Sequence, residues 1–154
     1  MDSESLLALI ESLHPAVQRR AQADRPAITL PTGELLGVMR ALRDHTELQF
    51  DLLLTHTAVD YPDDNRFELI YLLYSTVHGH WLVVTTNVER TQPVVPSVCA
   101  LWPIAEWQER EAYDLMGVLY DGHPDLRRVF LEDDWVGFPL RKDYRDGYML
   151  ELPK

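Results

Sequence analysis

Phe67-Glu68-Leu69-Ile70-Tyr71-Leu72-Leu73-Tyr74-Ser75 is the stretch that decides the fold. Between its polar second residue and its terminal serine, every side chain is apolar or aromatic, so an extended segment here is apolar on both faces. A strand of that kind belongs inside a sheet rather than at its rim. Its candidate neighbours lie close by, at residues 48–54, rich in leucine, and 80–88, rich in β-branched residues. Gly79 sits between the second and third runs, so residues 75–79 close an antiparallel hairpin. Residues 55–66 contain Tyr61, Pro62, Asp63, Asp64 and Asn65 and read as a loop.

Outward from these strands the period changes. Leu6, Leu7, Leu9, Ile10 and Leu13 recur at helical spacing, with Ser3 as the expected cap and His14-Pro15 as the stop. Residues 27–30 are read as a short strand. Pro31 and Thr32 introduce a helix over 33–44, whose Leu35, Leu36, Met39 and Leu42 share a face. A further helix is expected over 103–115, with Pro103 in its first turn. Helices on one face of a mainly antiparallel or mixed sheet, an α+β class, are the natural packing for this order of elements. The last third differs. Gly122, Pro124, Gly137, Pro139 and Gly147 break any period, while Tyr120, Phe130, Trp135, Phe138 and Tyr144 supply large rings that need something to pack against. The expected division is an α+β domain over 1–118 and an extended partner-docking segment over 119–154.

Composition narrows the function. The chain has 154 residues, 46% of them hydrophobic, which suits one domain with its own core. A net charge of −11 opposes nonspecific binding to nucleic acid and adhesion to an anionic bilayer. No apolar run reaches membrane-spanning length. The start, MDSESLLALIESL, is acidic and lacks the positive region of a secretory signal, so an intracellular chain is expected. Cys99 is the single cysteine and stands in an apolar context, VPSVCALWP, which reads as a buried structural thiol. The six histidines form no HExxH pattern, and no nucleophile elbow, phosphate loop or dinucleotide fingerprint is present. No catalytic, cofactor-binding or metal-ligating residue is expected.

The charged and aromatic run from Trp107 onward carries the signal. On a helical wheel Ile104, Ala105, Ala112, Leu115 and Met116 form an apolar arc; Glu111 falls beside it and needs a partner, whereas Glu109 falls on the opposite flank. Arg127, Arg128, Arg141 and Lys142 are the available cations. They serve either an internal clasp for a folded-back tail or a charged seam shared with another chain.

The blocks Glu109-Arg110-Glu111, Asp114, Gly117, then Gly122-His123-Pro124-Asp125-Leu126-Arg127-Arg128, and Pro139-Leu140-Arg141-Lys142-Asp143-Tyr144 resemble the 30-kDa subunit family of respiratory complex I, known as the C subunit in bacteria and the J subunit in cyanobacteria and chloroplasts. VDYPDDNRFELIYLLYS and PVVPSVCALWP resemble family segments too, so the likeness runs from about Leu48 to Tyr148. It differs at Met116 and Tyr120, where phenylalanine is usual. The resemblance implies an α+β subunit of the hydrophilic arm of an NAD(P)H- or ferredoxin-fed quinone oxidoreductase. Iron-sulfur clusters and FMN would sit in other subunits and none in this chain. Its C-terminal region would wrap the large quinone-site, 49-kDa-type subunit near the iron-sulfur subunits. Membrane association would be indirect, at the cytoplasmic face of the inner or plasma membrane, or the stromal side in a photosynthetic type. The interface or structural residues implied are Glu109, Arg110, Glu111, Asp114, His123, Asp125, Arg127, Arg128, Trp135, Arg141, Lys142, Asp143 and Tyr144. A corresponding subunit of a membrane-bound ion-translocating hydrogenase is the alternative, and a free-standing binding module is the second.

Overall fold

Leu69, Tyr71 and Leu73, with Phe67, are fully buried and line one face of an internal strand of a five-stranded sheet. The structure, a computed structural model, describes residues 1–21 and 23–149. Its elements in chain order are α1 (Ser3–Leu13), β1 (Gln18–Arg19), β2 (Ala27–Thr29), α2 (Leu35–Asp44), β3 (Leu52–Tyr61), β4 (Arg66–Tyr74), β5 (Trp81–Glu89), β6 (Val94–Pro96), α3 (Ala105–Met116) and β7 (Leu119–Asp121). Sheet order is β1-β2-β5-β4-β3. The β2–β5 pair is parallel and the other pairs are antiparallel, so the sheet is mixed, as the α+β reading expects. A second, two-stranded parallel sheet joins β6 to β7.

The helices close the face that β4 buries. Leu6 and Ile10 of α1, Leu35, Val38, Met39 and Leu42 of α2, and Ala105, Ala112 and Met116 of α3 share one core with the β4 side chains. Burying each large apolar side chain is worth about 1.5–3 kcal/mol relative to exposure, which is why the helices stay on that face.

Several local readings differ from the sequence expectation. The cap of α1 is Asp2, whose carboxylate accepts the Ser5 N–H at 2.9 Å; Ser3 is the first helical residue. Residues 46–48 form a turn, followed by Gln49 at φ +40°, and the strand runs instead from Leu52 through the stretch read as a loop. The reason is alternation: His56 and Asp60 point inward while Thr55 and Thr57 face solvent. Both of those inward positions are polar, so they carry no apolar signal. The turn itself is only Pro62–Asp64, closed by Asn65 at φ +49°. The strands β1, β6 and β7 are too short to show a period. In the last third, β7 enters the fold and Tyr120 joins the core. Residues 150–154, the end of the expected docking segment, lie outside the described residues.

Candidate functional site

Two carboxylates on α3 are completely buried, Glu109 and Asp114, whereas Glu111 is exposed. The wheel reading is therefore reversed at 109 and 111. It considers only the apolar arc, but α3 is covered on two sides. The sheet and residues 97–99 after β6 take the Ala105, Glu109 and Ala112 side, and the C-terminal segment takes Arg110 and Asp114.

Asp114 anchors that segment. Its Oδ2 accepts the backbone N–H groups of Val129, Phe130 and Leu131 at 3.0, 2.7 and 3.1 Å, and its Oδ1 accepts Arg128 Nη1 at 2.9 Å. Burial alone would raise the Asp114 pKa. The N–H groups of Leu131 and Phe130 and the Arg128 guanidinium outweigh it and hold the carboxyl below its ordinary range. Arg128 also donates to the carbonyls of Asp114, Trp135 and Gly137, so its fork is occupied within the chain. Arg110, buried under the same segment, donates to the carbonyls of Arg127 and Arg128. Gly117 ends α3 at φ +79°. A Cβ there would lie 2.7 Å from both Arg141 Nη2 and the Phe138 ring, so the crossing of the tail needs glycine.

A second clasp is not legible in the sequence. Asp60, inside β3, receives a bidentate Arg90 at 2.6 and 3.1 Å and the Lys142 N–H at 2.9 Å. Arg90 then reaches Asp143 at 2.8 Å, joining β3 to the tail. Arg141 packs over Phe67 and Phe138 and donates to the Met116 carbonyl; burial, and then the Arg90 charge, lower its pKa. Asp60 lies within the stretch that reads as a loop and Arg90 carries no motif, so no sequence signal singles out either.

Of the other expected residues, Asp125 and Arg127 form an exposed pair of their own at 2.9 Å. Trp135 is exposed and Tyr144 packs its ring on Gly137. The structure thus brings Arg110, Asp114 and Arg128 into the first clasp and Lys142 and Asp143 into the second, with Arg141 on Phe138 and Tyr144 on Gly137 beside them, while Glu111, Asp125, Arg127 and Trp135 are exposed.

Glu109 has separate company. It accepts Val98 N–H at 2.8 Å, Ser97 Oγ at 2.6 Å and Cys99 Sγ at 3.2 Å, and burial raises its pKa. Burial, reinforced by Glu109, pushes the Cys99 thiol up to about 12, which leaves it protonated and unreactive. The ligand atoms of Cys99, Glu109 and His123 lie within 4.8 Å of one another. The His123 ring is already engaged at both nitrogens: Nδ1 accepts the Asp125 N–H at 3.0 Å and Nε2–H donates to the Glu106 carbonyl at 3.0 Å. The donor set is therefore held by hydrogen bonds among its members and the backbone.

Beneath α3, His56 Nδ1–H donates to the Ile70 carbonyl and the Tyr120 hydroxyl donates to Nε2 at 2.5 Å. Burial lowers the His56 pKa from 6.5 to about 4. The unfolded chain takes up this proton near 6.5, so the stabilising effect of a neutral His56 is full above that pH and is lost as pH falls toward 4. The expected loss is about 2 kcal/mol by about pH 5 and ~3 kcal/mol across the whole window. Urea unfolding of the wild type and of His56→Gln at about pH 7.5 and about pH 5 checks this; equal pH slopes in the two proteins would contradict it.

The family described as "Respiratory-chain NADH dehydrogenase, 30 Kd subunit" matches residues 28–148. The C subunit of the NADH-quinone oxidoreductase of Moorella thermoacetica is 44% identical over 92% of this chain and 95% of its own length. Its counterpart from Geotalea uraniireducens is 48% identical over 72% of this chain and 67% of its own. Among solved structures, a chain of the membrane-bound sulfane sulfur reductase, an archaeal respiratory membrane complex, superposes with a TM-score of 0.80 at 26% identity, covering 92% of this chain and 85% of that one. A trypsin-resistant fragment of Nqo5 gives 0.69 at 27% identity, covering 82% of this chain and all of the fragment. Matched by the family over most of its length and by a curated relative nearly end to end, the chain belongs to the 30-kDa subunit family of the respiratory-chain NADH dehydrogenase.

Proposed function

We propose that this chain is a non-catalytic structural subunit of a complex-I-like quinone oxidoreductase, docking through the segment from residue 119 onward onto the large quinone-site subunit beside the iron-sulfur subunits. Family membership carries the reading, above all the near end-to-end match to the Moorella thermoacetica relative. The electron carriers, iron-sulfur clusters and flavin, reside in other subunits. No helix among the described residues is long and apolar enough to cross a membrane. Attachment runs through a partner at the cytoplasmic face. The test is copurification: the tagged full-length chain, expressed at native level and extracted in mild detergent, should bring down the large quinone-site subunit in stoichiometric amount. Recovery of the chain alone would reject the reading. The likeness to a chain of the sulfane sulfur reductase complex supports a second assembly type, related to the ion-translocating hydrogenases; the electron-accepting subunits in the same pull-down decide between them.

A further inference from the structure

Residues 130–136, Phe-Leu-Glu-Asp-Asp-Trp-Val, combine outward apolar side chains with a fixed backbone. Phe130 is 66% exposed, Val136 87% and Trp135 40%. Glu132, Asp133 and Asp134 between them are exposed and form no ion pair with another described residue. A surface segment that exposes such rings without a partner loses little by being loose. This one is held at both ends. At its start the Phe130 and Leu131 N–H groups bond the buried Asp114 carboxylate, and at its end the Trp135 and Gly137 carbonyls accept from Arg128. Between them the Trp135 N–H bonds the Glu132 carbonyl at 3.0 Å. The buried groups of the clasp thus set the direction of side chains that themselves touch solvent.

We infer that residues 130–136 are a preformed anchor for a protein surface that combines apolar pockets for Phe130, Trp135 and Val136 with lysine or arginine opposite Glu132, Asp133 and Asp134. The inference rests on the docking reading above and deepens it by naming the contact and the chemistry of the partner. A rigid loop loses little freedom on binding, and aromatic anchors surrounded by a polar rim are the usual anatomy of an interface. The charge selects among partners. Three carboxylates beside the rings repel anionic lipid headgroups and nucleic-acid phosphates and attract a basic protein face.

Two variants of the full chain, each expressed in the native cell in place of the wild type, test it. In Glu132→Gln/Asp133→Asn/Asp134→Asn the charge is removed and the shape kept. The chain should then wash from its membranes at a clearly lower salt concentration than the wild type. In Phe130→Ala/Val136→Asp the apolar contact is lost, and retention in the complex should fall by roughly tenfold or more even at low salt. Neither variant should shift the melting temperature of the isolated chain, because the altered side chains point to solvent. If the wild type copurifies with its partner and both variants are retained like it, the anchor is refuted while the docking reading stands. If the wild type fails to copurify, both fall. A matching loss of lone-chain stability would assign the residues to folding, and binding of the wild type to protein-free anionic vesicles would assign them to the bilayer; either outcome overturns the inference.

Discussion

Replacing Asp114 with alanine is expected to destabilise the isolated chain by roughly 3–5 kcal/mol, the range for breaking a buried ion pair from one side. For a chain of this size that is a fall in melting temperature of roughly 6–20 °C. The substitution leaves the guanidinium of Arg128 and the N–H groups of Val129, Phe130 and Leu131 without their acceptor in a part-buried site. Asp114→Asn should recover part of the loss, because its amide oxygen still accepts hydrogen bonds although the charge is gone. The same carboxylate sets a pH signature. Its folded pKa lies below the ordinary value, so its contribution is complete above about pH 4, the range of an unperturbed aspartate, and is lost as pH falls through the folded value. Thermal melts of wild type, Asp114→Ala and Asp114→Asn at neutral pH are the check. Unchanged melting in the alanine variant would show that the clasp does not hold the tail in solution.

Arg90→Ala should be nearly as damaging, again roughly 3–5 kcal/mol, because Asp60 is almost fully buried and would lose both bonds of its guanidinium partner. The variant has a second readout. Arg90 also holds Asp143, so its loss removes one of the attachments of the tail. Limited proteolysis should cut near residues 141–146 faster than in the wild type, before the sheet unfolds. Arg90→Lys should repair little of this, since an ammonium cannot reproduce the paired fork to Asp60 while reaching Asp143. A lysine variant with wild-type melting and protease resistance would overturn the bidentate account.

The strand β4, internal to the sheet, its hairpin partner β5 and the helices are legible in the sequence because their apolar spacing follows the period of the element that carries it. The second half of β3 is not, because His56 and Asp60 are buried polar residues whose partners, Tyr120 and Arg90, lie far along the chain. The same limit governs the clasp. Arg128 and Asp114 are recognisable as a charged set, yet whether they face inward depends on a segment without periodicity folding over α3. Glu109 and Glu111 exchange roles for that reason: the wheel locates one buried face where the fold makes two. The family blocks, in contrast, can be read directly, because they are defined by residue identity and spacing rather than by burial.

The parallel pairing of β2 with β5 has a consequence for the order in which the chain becomes ordered. Thr29 and Thr85, hydrogen-bonded across that pair, are 56 positions apart. During synthesis the first helix and β2 leave the ribosome with only the two-residue β1 to pair with. The β4–β5 hairpin, closed at Gly79 and stitched along its whole length, needs only local contacts and can form as soon as it emerges. Loop closure over so long a separation is entropically unfavourable until a template exists, so the hairpin nucleates and the amino-terminal portion docks on it afterwards. A nascent chain arrested before residue 81 would therefore expose the apolar side of β2 and α1 to solvent. That interval, rather than any weakness of the finished fold, is when a chaperone has most to hold.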